Sequence, residues 1–135
     1  MKAALLLTGL LAPWAISAAL SAALAGAPRL AARLTAAAGA TSFCAAAWLW
    51  TGALQGPAAT AGPGALFRVD ALSALVAGCI AAVSGLSMLP WPGMEKDPAD
   101  GRSRVFRIFG SLFTLAMLVA VTINNVALMW VAIEA

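Results

Sequence analysis

The sequence predicts an all-α, polytopic transmembrane helical bundle with four complete spans and the start of a fifth. Three observations predict it. Of 135 residues, 63% are hydrophobic and only 10% charged, whereas a soluble domain is nearer half apolar and a quarter charged. The mean hydropathy is +0.96, and the excess is gathered into blocks approaching the ~20 residues a membrane-crossing helix needs. The basic residues fall between those blocks.

The first block covers 3–25, with Pro13 inside it as a kink that membrane helices tolerate. Lys2 before an apolar run ending at Ala25-Gly26-Ala27 also resembles a signal peptide. The run is long for a signal core, so it is read as a span. Ala27-Pro28-Arg29 breaks it, and the second span follows at about 34–54. Gln55–Gly64, rich in glycine and proline and free of charge, reads as a loop. The third span, about 71–89, stops at Pro90-Trp91-Pro92, with Trp91 suited to a membrane interface. Glu95–Arg107 is a charged stretch with turn signals at Asp97-Pro98 and Asp100-Gly101.

The last block offers two geometries. As one helix, Ile108 to Glu134 measures roughly 39 Å and overshoots a hydrocarbon core of about 30 Å. Glu134 then emerges among the far headgroups. Adjacent asparagines favour turns over helix interiors, so Asn124-Asn125 is the expected break. The fourth span is then about 105–123 and the fifth about 126–135. Glu134 lies roughly 12 Å into that fifth span, near mid-membrane.

Lys and Arg set the orientation. Arg29, Arg33, Lys96, Arg102, Arg104 and Arg107 fall on one side, and Lys2 and Arg68 on the other. The more basic side is cytoplasmic. The N-terminus is therefore expected outside, on the periplasmic side of an inner (cytoplasmic) membrane. Within the third block, Ser73, Ala77, Ala81 and Gly85 stand at spacing four, a row that lets helices approach closely.

Soluble-enzyme chemistry is not written in this chain. It carries no glycine-rich phosphate loop, no nucleophile beside a base and no metal-ligand cluster, so no catalytic, cofactor or metal residue is expected. The net charge of +3 is small and spread over loops, which argues against nucleic-acid binding. Cys44 and Cys79 lie within apolar blocks and read as buried small hydrophobes. Glu95, Asp97 and Asp100 alternate with cations and read as a solvated loop. Arg68 reads as an interfacial anchor. Asp70 reads as the N-cap of the third helix, with a polar site at the outer end of an ion path as the alternative.

Glu134 stands apart. A carboxyl in low dielectric resists ionisation and a nearby cation restores it, so it can take up and release a proton as its partner moves. The spans themselves show no deep Lys or Arg to serve as that partner. The run Ala-Leu-Met-Trp-Val-Ala-Ile-Glu-Ala shows no helix stop either. The chain is accordingly expected to be the front part of a longer subunit.

Thr122–Ala135, with its Asn-Asn, Met-Trp and Ile-Glu-Ala, resembles the segment joining the fourth and fifth helices of antiporter-like proton-translocating subunits. These occur in complex I, in membrane-bound hydrogenases and in Mrp-type antiporters, and the antiporter-like subunit of hydrogenase 4 is the nearest likeness. Phe67–Ser73, with Asp-Ala-Leu-Ser, is similar to the opening of the third helix in that family. The resemblance implies that Glu134 is the fifth-helix glutamate, which pairs with a lysine on a later helix to switch a proton half-channel. It implies an outward N-terminus, no redox cofactor in this chain, and partners among the membrane subunits of a respiratory or hydrogenase complex. Protons, or sodium in Mrp-type relatives, are the implied cargo. The alternatives are a small standalone membrane protein (a pore former or assembly factor) and an inorganic-carbon uptake or Mrp-type relative on the same scaffold.

Overall fold

A computed structural model describes residues 2–24, 26–88 and 101–134. Helix α1 covers Lys2–Ala23, α2 Pro28–Gln55, α3 Ala71–Ser87, α4 Gly101–Thr122 and α5 Val126–Glu134. Pro13 lies within α1, which continues through it. Helices α1 to α4 run up, down, up and down. Each packs on the next, and α4 closes the ring against α1. The helices at Ala4–Ala23, Pro28–Gln55 and Gly101–Thr122 are long and apolar enough to cross a membrane, which marks the chain as a membrane protein. Helix α3 has 17 residues and is shorter.

Several expected boundaries move. Helix α2 starts at Pro28 rather than near 34, because proline at the first helical position has its φ already set and lacks an N–H that would have no partner there. Arg29 and Arg33 therefore belong to its first two turns. Helix α4 is already helical at Gly101 rather than only from near 105, so Arg102, Arg104 and Arg107 are helical residues, not loop residues. The third helix ends at Ser87, capped by Met88. Its expected end at Leu89, the Pro90-Trp91-Pro92 stop, the Asp97-Pro98 and Asp100-Gly101 turns, and the Glu95–Asp100 acids lie outside the described residues.

The stretch read as a plain loop after α2 is more ordered than its composition suggests. Ala59–Ala61 (β1) pairs antiparallel with Phe67–Val69 (β2), placing Ala59 opposite Val69 and Ala61 opposite Phe67. The connection is a 3-10 turn at Pro63–Ala65, flanked and interrupted by Gly62 at φ 83° and Gly64 at φ 62°, a backbone region that glycine enters at no steric cost. The short ribbon closes one end of an otherwise helical molecule.

The apolar core lies next to that ribbon. It gathers Leu7, Leu10 and Trp14 from α1, Ala45, Ala46 and Leu49 from α2, Val69 from β2, Ala74 and Ala77 from α3, and Leu118 from α4. The small-residue row of α3 packs on α2. Ala77 and Ala81 are wholly buried, and a Cβ added at Gly85 would meet the Gly39 backbone at 3.2 Å. Large apolar side chains point outward in number, among them Trp48, Phe109 and Phe113, each about two-thirds exposed or more. Such a surface would be a liability in water. Against lipid it is the expected covering.

Candidate functional site

The fourth and fifth helices are separate. Helix α4 ends at Thr122 and α5 begins at Val126, with Asn124 and Asn125 between them. The Asn125 carboxamide caps the new helix, its Oδ1 accepting from the N–H groups of Ala127 at 3.0 Å and Leu128 at 3.2 Å. Those N–H groups have no partner within the helix. The break is also pinned from outside. The Asn124 N–H donates to the Leu66 carbonyl at 2.7 Å, its Nδ2 donates to the Ala65 carbonyl at 3.3 Å, and Ile123 bridges to Phe67. The ribbon thus holds the chain at the point where α4 stops.

Glu134 is the last residue of α5 and is exposed. It shares one face of that helix with Ala127, Trp130 and Val131. No residue of α5 is buried, and the helix leans chiefly on α4. The structure does not bring Glu134 together with Asp70.

Asp70 caps α3. Its carboxylate Oδ1 accepts from the Ser73 N–H at 2.8 Å. That bond, reinforced by the Ser73 hydroxyl, holds the carboxyl below its ordinary range. Arg68, one strand residue away, is exposed.

Arg29, Arg33, Arg102, Arg104 and Arg107 mark the opposite end of the bundle. Arg104 donates from Nε to the Ser21 carbonyl at 3.2 Å and from Nη2 to the Ala22 carbonyl. It thereby ties the last turn of α1 to the first turn of α4, close to where α2 begins with Arg29 and Arg33.

A second polar feature was missed in the sequence. Ser17, Ser21, Thr35, Ser42, Arg107, Ser111 and Thr114 are all buried. The Ser17 hydroxyl donates to Thr35 Oγ1 at 2.8 Å and lies 3.2 Å from Ser111 Oγ, joining α1, α2 and α4. Ser42 donates to the Leu10 carbonyl at 2.8 Å. The signal was periodic. Trp14, Ser17 and Ser21 share one face of α1, and Arg107, Ser111 and Thr114 one face of α4. Arg107, in the second turn of α4, is only 4% exposed.

Cys44 and Cys79 are free and exposed, not buried as expected. They sit on outward faces of α2 and α3, where lipid rather than protein would cover them. Among the described residues, no three His, Cys, Asp or Glu side chains are grouped to hold a metal. Comparison with known proteins adds nothing to this geometry: no family model, curated protein or solved structure matches the chain.

Proposed function

We propose that the chain acts in ion translocation, as part of an antiporter-like membrane subunit in a hydrogenase-4-like or NADH:quinone oxidoreductase-like complex. In this reading α1 to α4 are four complete spans and α5 opens a fifth. The observation that carries it is the helix break at Asn124-Asn125. It sets Glu134 on a short apolar helix of its own instead of at the far end of one long span. An acid on such a helix, within lipid or against neighbouring subunits, is costly to ionise and suited to proton exchange with a moving cation. The collection of Arg29, Arg33, Arg102 and Arg104 at one end of the bundle supports a cytoplasmic location for that end and an outward N-terminus.

The test is proton uptake in native membrane vesicles from cells carrying Glu134→Gln, driven in turn by NADH and by hydrogen. Pumping should fall to a small residue while the amount of the protein in the membrane stays level. Glu134→Asp should retain part of it. Unchanged pumping at equal protein level would overturn the reading. Purification of the chain with no redox subunits attached would favour a standalone membrane protein instead.

A further inference from the structure

The interior of the bundle changes character along its axis. Toward the ribbon it is mainly apolar, closed by Leu7, Leu10, Leu49, Val69 and Leu118, and the buried Ser42 and Thr122 hydroxyls there are satisfied by the Leu10 and Leu118 carbonyls. Toward the arginine-rich end the same helices turn hydroxyl groups inward: Ser17 and Ser21 from α1, Thr35 from α2, Ser111 and Thr114 from α4. Two residues of α1 here have buried polar atoms with no hydrogen-bond partner among the described residues. Trp14 Nε1 and Ser21 Oγ are each buried without a hydrogen bond, in side chains 0% and 2% exposed. They flank the Ser17–Thr35–Ser111 cluster on the same face of α1.

We propose that the basic half of the bundle interior is a hydrated well, in which ordered water bridges Trp14 Nε1 and Ser21 Oγ into the Ser17–Thr35–Ser111 cluster. Leaving a buried indole N–H or hydroxyl unsatisfied carries its full desolvation cost. Native interiors meet such groups with water where several polar partners converge. Water suits both sites, because the indole can only donate while a serine hydroxyl donates and accepts. From the end of α1 at Ala23 to Trp14 the well runs roughly 13 Å, nearly half of a ~30 Å hydrocarbon core. It stops at the apolar seal. Water, and protons moving along it, therefore enter from the arginine-rich end without crossing. This inference does not rest on the role proposed for Glu134.

Two measurements on the full chain in detergent or lipid nanodiscs test it, with water itself as the probe. In protein labelled with 15N-tryptophan, the Trp14 indole signal is assigned by its loss in Trp14→Phe. It should show a cross-peak to water that disappears in Ser21→Val, which fills the space. A Trp14 indole with no water contact in the native chain would overturn the proposal. Should Ser21→Val fail to fold, cysteine accessibility decides. In a Cys44→Ala/Cys79→Ala background, Ser111→Cys should react with a small hydrophilic thiol reagent about tenfold faster than Leu118→Cys at the seal. Equal, slow reaction at both positions means a dry interior.

Discussion

Gly39 on α2 and Gly85 on α3 meet backbone to backbone. A Cβ built on Gly39 would stand 2.6 Å from the Gly85 Cα, closer than real Cβ contacts allow. The crossing of these two helices is therefore set by the absence of side chains at both positions, and α3 depends on it because α2 is its principal neighbour.

Gly39→Ala should force α2 and α3 apart and cost on the order of 1–3 kcal/mol, the usual penalty of overpacking. Gly52→Ala, at a helical glycine with nothing within 4 Å, should be neutral or stabilising by up to ~1 kcal/mol. Thermal unfolding midpoints in detergent check both. A Gly39→Ala protein as stable as the parent would show that the helices slide freely.

Asp70→Ala should cost about 1 kcal/mol through loss of the α3 cap. Asp70→Asn should cost less, because its side-chain oxygen still accepts from Ser73. The pH dependence has a fixed sign. The folded carboxyl titrates below its ordinary value, so its extra stabilisation is fully present above the unfolded pKa, near 3.9. It is lost as pH falls through the lower folded pKa. Asp70→Asn should flatten that acid-side loss in a pH series of unfolding midpoints.

Asn125→Ala should fray the start of α5. Removing a cap worth ~1 kcal/mol raises local opening about fivefold, so hydrogen exchange at the Ala127 and Leu128 amides should speed by that factor. Asn125→Asp, also a strong cap, should preserve protection. No change in exchange for Asn125→Ala would mean that the Asn124–Leu66 and Ile123–Phe67 contacts alone hold the break.

Arg104→Gln should loosen α1 from α4 at the arginine-rich end. Arginine presents a planar fork that serves two carbonyls at once, and lysine does not, so Arg104→Lys should rescue only in part. The expected loss is about 1–2 kcal/mol. Arg29→Gln, at an exposed position, should stay within ~0.5 kcal/mol. The comparison is again of unfolding midpoints.

The helical spans were legible because membrane burial demands long apolar runs, and the runs at α1, α2 and α4 are long enough to announce themselves. The break at Asn124-Asn125 was legible as turn chemistry and so gave Glu134 its place on a separate helix. The ribbon was not. Ala-Thr-Ala carries no strand signal, and its pairing with Phe67–Val69 exists because Val69 and Phe67 pack toward the core while Asn124 ties down the turn. The exposure of Cys44 and Cys79 was equally hidden, since composition marks a residue as apolar without saying whether lipid or protein covers it.

The order of residues alone is enough to specify a helical membrane protein with most of its arginines gathered at one end and a helix break before its last acid. Hydropathy, charge placement and asparagine are local properties, and local properties fix which segments are helical and where they stop. Which faces turn inward is a matter of packing in three dimensions. Packing placed Gly39 against Gly85 and Ser17 between Thr35 and Ser111. It also buried Arg107 and turned the Ser17, Ser21, Thr35 and Ser111 hydroxyls inward. Those outcomes depend on how four helices rotate against each other, and that rotation is set by contacts between residues far apart in the chain.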